Sequence, residues 1–241
     1  MISHQLLVRA GYMRQLSAGV YSYLPLGWRV IKKIEAIIRD EMDKIDGQEI
    51  RMPVLNPAEL WKETKRWYEI GPELVRFKDR MGRDMVLAMT HEEVVTDLAR
   101  REVRSYRQLP YMVYHIQTKV RDEPRPRAGL IRLREFLMKD AYSFHPDRAS
   151  LDAFYPHVYQ AYLNIFRRSG VKVEPVEADP GMMGGTGSHE FMMLAPSGED
   201  SLIKCQTCSY AANVEKAEFR KDVAIQAPDE QVPPMTEVST P

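Results

Sequence analysis

The sequence predicts an α+β fold, a mostly antiparallel sheet packed with helices. Short apolar segments joined by tight loops supply the strands, and long stretches with a 3.6-residue apolar period interrupt them. The strand–helix–strand alternation that a doubly wound parallel sheet requires is not sustained. With 241 residues, 44% of them apolar, the chain can bury a sizeable core.

The elements follow in order. Leu6, Leu7, Ala10, Met13 and Leu16 predict a helix over Ser3–Ala18, broken by Gly19 and the Tyr-rich stretch Val20–Gly27. A second helix carries Leu26, Val30, Ile34, Ile37, Ile38 and Ile45, with Gly47 suited to its C-terminal cap. Gln48–Leu55 reads as a strand whose Pro53 implies an edge or an interface. Met85–Met89 is a short strand. Thr90-His91-Glu92-Glu93 then opens a helix to about Arg104, with Thr90 as N-cap and Glu93 closing a capping box. Glu92 has no part in that box.

Tyr111–Arg121 is a long strand and Ile131–Phe144 its return partner. Leu151–Arg168 is an amphipathic helix ended by Gly170, and Val171–Ala178, Glu190–Ala195 and Ser201–Lys204 are further strands. From about Ala227 the composition becomes that of a linker.

The chemistry concentrates around the long hairpin. Five arginines, Arg121, Arg125, Arg127, Arg132 and Arg134, surround a loop that Pro124, Pro126 and Gly129 force to turn. Arginine is preferred where a phosphate or carboxylate is bound through two parallel hydrogen bonds. At period two, His115, Gln117, Lys119, Arg121 and Glu123 share a polar face, while Met112, Tyr114, Ile116, Thr118 and Val120 form a core face. On the return segment Arg132, Phe136 and Asp140 are spaced four apart: a cation, a flat ring and a carboxylate in line, as a nucleotide would need. A solvated hairpin laced with salt bridges fits the same residues.

Arg121-x-Glu123, a loop, then Arg132-x3-Phe136-x3-Asp140 resembles motif 2 of class II aminoacyl-tRNA synthetases. The flanking text, Gln117–Glu123 and Arg134–Phe144, is similar to bacterial-type prolyl-tRNA synthetase. The resemblance implies ATP-dependent activation of proline and its ligation to tRNA(Pro), with ATP and Mg²⁺ as cofactors and a class II antiparallel sheet flanked by helices. It implies that Arg121 holds the α-phosphate and the amino-acid carboxylate, that Glu123 reads the adenine amine, that Phe136 stacks on adenine, and that Arg132 meets the terminal phosphates, with Asp140 in the same site. Arg125 and Arg127 would contact the tRNA acceptor end.

The same resemblance gives Thr90 and Glu92 to the proline pocket, the glutamate on the imino group. It makes Pro53 part of a motif 1 dimer interface, supported by Leu24-Pro25-Leu26-Gly27 upstream. Gly184-Gly185-Thr186-Gly187-Ser188-His189-Glu190-Phe191 is not a P-loop, since no Gly-Lys-Ser/Thr follows, and reads as a tight turn before a strand. It resembles a family segment bordering the active site, which adds Ser188, His189 and Glu190. The match runs from about Ile2 to Arg220. Motif 3 and an anticodon-binding domain have no counterpart, so the expected layout is a catalytic core over 1–220, incomplete at its C-terminal side, and a linker or truncated editing insertion over 221–241. A threonyl- or seryl-type enzyme and a catalytically inactive synthetase-like binding protein are the alternatives.

The totals exclude some classes. Lys+Arg and Asp+Glu are equal at 34 each, so no overall field favours a polyanion or a membrane. No apolar run approaches the ~20 residues of a bilayer span. The N-terminus lacks the pattern of a secretory signal, and Cys205 and Cys208 cannot build a disulfide framework; a cytoplasmic protein is expected. Cys205-x2-Cys208 is half of a zinc site at most, and no metal site is expected.

Overall fold

The computed structural model describes residues 1–179, 187–195, 198, 200–208, 210–214 and 216–218. The chain divides into two compact units, Met1–Lys172 and Val173–Pro241. The linker expected over 221–241 and the expected Gly184–Thr186 turn lie outside the described residues.

The first unit begins with α1 (Ile2–Arg9), β1 (Met13–Ser17) and β2 (Val20–Tyr23). The helix expected through Ala18 therefore stops early. Gly11 adopts φ +73, and Met13–Ser17 folds back on Val20–Tyr23 across Gly19 at φ +76. Only glycine takes these left-handed turns without strain, and the hairpin wins over a weak helical period. Next is α2 (Pro25–Asp43), with Pro25 in its first turn, where a missing N–H costs nothing. Gly27 has a specific reason: a Cβ there would lie 2.2 Å from the Tyr12 carbonyl oxygen. That oxygen already accepts from the Leu24 N–H at 2.8 Å.

Gly47 is not the cap of α2, which ends at Asp43 with Lys44 as its C-cap, but the first residue of β3 (Gly47–Glu49). The expected strand through Leu55 is split into β3 and β4 (Leu55–Pro57), leaving Pro53 between them, outside any ladder. The chain continues through α3 (Ala58–Glu63), α4 (Arg66–Glu69), β5 (Arg76–Lys78), β6 (Asp84–Leu87) and α5 (Glu92–Glu102). Strands β4, β6 and β5 make a small antiparallel sheet against which Trp61, Ile70, Leu74 and Met89 pack.

The central sheet has the order β3-β7-β8, with β7 (Tyr111–Val120) antiparallel to β8 (Glu135–Phe144) over ten register pairs and β3 parallel to β7. Helices α2 and α6 (Arg148–Arg168) cover one face, where Met42, Met112, Tyr114, Ala161 and Ile165 form a core. On the other face Val113 packs with Met52 and Val95 of α5. The sheet is thus buried on both sides, and the solvated alternative does not hold for β7's polar face: His115, Gln117 and Lys119 are 1%, 8% and 0% exposed.

The second unit holds β9 (Glu174–Ala178), β10 (Ser188–Met192), β11 (Leu202–Lys204) and β12 (Ala211–Asn213), in the order β10-β9-β12-β11. Among the described residues no helix is long and apolar enough to cross a membrane.

Candidate active site

The end of the β7–β8 hairpin is braced from outside. The Arg121 N–H donates to the Arg134 carbonyl at 2.9 Å and continues the ladder. The loop between turns through Ala128 at φ +59 and Gly129 at φ +66. Gly19 of the β1–β2 turn abuts Pro126 so closely that a Cβ would lie 2.8 Å from the ring, and its carbonyl accepts from the Arg134 N–H at 2.9 Å. Gly129 meets His4 of α1 in the same way. The N-terminal elements therefore position the arginine loop.

Beside it lies a cleft of about 640 Å³ lined by Arg121, Glu123, Arg132 and Phe136, with Ile34 and Ile38 of α2 opposite. Its volume suits a bound small molecule. Four of the five nucleotide residues expected from the sequence are thus brought together. The Arg121 guanidinium sits 5.4 Å from the Phe136 ring centroid. Among the described residues it donates only a long hydrogen bond, 3.4 Å, to the Met89 carbonyl, and its buried Nε has no partner. Burial pushes its pKa down from the usual arginine value. A half-buried cation left without a carboxylate is costly unless an anion completes it. Glu123, in contrast, is ion-paired with Arg132 at 2.8 Å and accepts from the Arg125 N–H. The Arg132 hydrogen bond, first among the causes, holds its carboxyl below the usual range. Arg125 and Arg127 are exposed on the loop.

Asp140 does not line this cleft. It lies one buried layer below, where Lys119 donates to its Oδ1 at 2.7 Å and His115 Nε2 lies 2.9 Å from its Oδ2, with the Tyr142 hydroxyl also donating. The four-residue spacing from Phe136 is real, but β7 delivers Lys119 and His115 to Asp140 through the cross-strand register. Burial alone would raise the Asp140 pKa; the hydrogen bonds of His115, Lys119 and Tyr142 bring it to about 2. His91 packs edge-on to His115, and burial, then the Lys119 charge, lower its pKa to about 4. Ligand atoms of His91, His115 and Asp140 lie within 4.8 Å of one another, a spacing a metal could use. The buried Lys119 ammonium already stands among them, 3.1 Å from His115 Nε2.

The Thr90–Glu93 capping box does not form. His91 is the N-cap of α5 and no side chain caps it. Glu93 turns away to Arg66 (2.9 Å) and Thr64 (3.3 Å), because a buried carboxylate gains more from a guanidinium than from a peptide N–H. Thr90 is buried beneath the helix start, beside the Tyr142 hydroxyl. Glu92 pairs with Arg66 at 2.6 Å and borders a second cavity, not the Arg121 cleft. Arg121 nonetheless reaches the residue just before Thr90 through Met89. Pro53 is exposed, and its carbonyl lies 2.9 Å from both His91 Nε2 and Asn56 Nδ2. In the second unit, β10 carries Ser188, His189 and Glu190, the last bordering a cavity of about 750 Å³ within that unit. Cys205 and Cys208 are free thiols after β11; hydrogen bonds from the Thr207 hydroxyl and N–H bring the Cys205 thiol down to about 6.

Residues 75–239 match the family model "tRNA synthetase class II core domain (G, H, P, S and T)". The chain belongs to this class II core family. Among similar proteins, the proline–tRNA ligase of Salinispora tropica is 59% identical over 238 residues, 99% of this chain and 40% of that protein. The proline–tRNA ligase of Syntrophus aciditrophicus is 54% identical over 240 residues, 100% of this chain and 42% of that protein. The chain thus spans about two fifths of these relatives. The class II core fold is matched by a crystal structure of prolyl-tRNA synthetase from Cryptosporidium parvum complexed with halofuginone and AMPPNP. Its TM-score is 0.70 at 18% identity, covering 78% of this chain and 40% of that one. A second structure from that organism, complexed with L-proline and AMP, gives 0.69 at 18% identity, covering 78% and 38%.

Proposed function

We propose that this chain carries the ATP- and proline-binding part of a prolyl-tRNA synthetase centre, acting in the activation of proline and its transfer to tRNA(Pro). The observation that carries the reading is Arg121: a half-buried guanidinium without a carboxylate, over an aromatic ring, in a cleft of nucleotide size. The close relatives named proline–tRNA ligase support the choice of amino acid.

In this reading the proline carboxylate oxygen attacks the α-phosphorus of ATP. An oxygen–phosphorus bond forms and the bond to pyrophosphate breaks; a hydroxyl at the tRNA acceptor end then attacks the prolyl carbonyl carbon, and AMP leaves. No side-chain nucleophile is needed, so catalysis is positioning plus stabilisation of phosphoryl charge. Arg121 supplies that charge at the α-phosphate, Phe136 stacks on adenine, Glu123 accepts from its amine, and Arg132 exchanges part of its hold on Glu123 for the terminal phosphates. Thr90, Glu92 and Arg121 take proline, with Ser188, His189 and Glu190 bordering it, while Arg125 and Arg127 meet tRNA phosphates. Asp140 serves from below, holding β7 and β8 in register through Lys119.

Mg²⁺, which the family reading implies, would supply positive charge to the ATP phosphates. The carboxylates that line the cleft among the described residues, Glu35 and Glu123, are ion-paired with Arg39 and Arg132 and leave the ion no free carboxylate there. A homodimer through the Pro53 region is supported by the apolar side chains that α2 leaves exposed away from the cleft, Leu26, Trp28 and Val30. A cytoplasmic location is supported by the two free cysteines. The test is exchange of pyrophosphate into ATP: it should require proline and vanish in Arg121→Ala. Near-normal exchange in that variant would refute the assignment.

A further inference from the structure

Arg66 is a single guanidinium serving two carboxylates. The turn from α3 into α4 passes through Lys65 at φ +65, a left-handed conformation that a lysine adopts only at a cost. It delivers Arg66 to the first turn of α5. There Nη1 lies 2.6 Å from Glu92 Oε2 and 2.9 Å from Glu93 Oε1.

The two acids are unlike. The Glu93 side chain is 1% exposed and also accepts from the Thr64 hydroxyl, whereas the Glu92 side chain is 36% exposed. Glu93 is therefore the anchor and Glu92 the accessible end. Both border a cavity of about 490 Å³ shared with Glu63 and Arg100. Those two neutralise each other through hydrogen bonds of 2.9 and 3.2 Å. One guanidinium is left for two carboxylates, an excess of one negative charge. Glu92 Oε1 has no hydrogen-bond partner among the described residues, so the excess is presented there.

We infer that Arg66 is a positioning residue for the substrate amine. Buried Glu93 fixes the guanidinium, the guanidinium fixes Glu92 Oε2, and Oε1 is held ready to accept from a secondary ammonium. A free glutamate would lose rotamer freedom on binding; here that loss is incurred when the chain folds. The inference rests on the proposed reading of Glu92 as the partner of the proline amine.

Calorimetric titration of this chain with proline, and separately with ATP, tests it. Arg66→Met should weaken proline about tenfold while leaving ATP unchanged. Arg66→Lys should recover part of the loss, since an ammonium keeps the charge but stands on a shorter side chain that reaches the two carboxylates less well. Glu93→Gln, which preserves volume and spares the fold if Arg66→Met does not, should show a smaller loss confined to proline. Unchanged proline affinity in Arg66→Met and Glu93→Gln overturns the inference and leaves the reading of Glu92 standing. Equal loss of proline and ATP marks a merely structural role and also overturns it. If the unsubstituted chain binds ATP but not proline, the reading of Glu92 falls and takes this inference with it.

Discussion

At the scale of single residues, the cleft separates three chemistries that adjoin along the hairpin. Arg121 is a charge awaiting an anion, Glu123 an acceptor already engaged, and Phe136 an apolar plane. Phe136→Ala should weaken ATP by about tenfold, the usual worth of one lost stacking partner, with little change in folding stability because the ring is only half-buried. Calorimetry on the variant checks this. These residues were legible in the sequence because motif spacing and loop chemistry are local properties. The place of Asp140 was not. Its spacing from Phe136 suggested a ligand, but its partners Lys119 and His115 arrive through a cross-strand register that no local pattern encodes. Arg66 went unnoticed for the same reason, standing 26 residues from Glu92.

Among the elements, β7 carries the least expected feature, a row of polar side chains buried between α5 and the sheet. Two groups packed against that row, His91 at the start of α5 and Asp140 of β8, titrate with folding. His91 takes a proton near pH 6.5 when unfolded and near 4 when folded. Its contribution is therefore complete above pH 6.5 and lost as the pH falls through that window, about 3 kcal/mol in all. Asp140, depressed from 3.8 to about 2, adds a second loss below pH 4. Urea unfolding between pH 7 and 4 should show the decline, and His91→Gln should flatten its upper part. A pH-independent midpoint would contradict the buried neutral imidazole. At the start of α2, Gly27→Ala should destabilise by about 1–3 kcal/mol, since its Cβ must displace the Tyr12 carbonyl; the thermal midpoint reads this out. The long elements α2, β7 and α6 were legible from their apolar pattern, while β8, expected from Ile131 as the return partner of β7, begins only at Glu135. The α1 region was not: a glycine hairpin overrode an apolar period too short to hold a helix.

For the whole molecule, the proposed homodimer rests on the neutral charge balance and on the exposed apolar side chains of α2, which suit burial rather than attraction by field. Val30→Glu should shift sedimentation from dimer to monomer if that face is the interface. The antiparallel sheet and its helices were anticipated; the division into two compact units was not, because nothing in the composition changes near Lys172. The central claim is that the hairpin cleft is an ATP site completed by Arg121. Its most direct test is calorimetric titration of ATP into the chain and into Arg121→Met. The account predicts saturable binding by the former and a loss of about 100-fold in the latter, the worth of a charge-assisted contact in a half-buried site. Equal affinity in the two would contradict it.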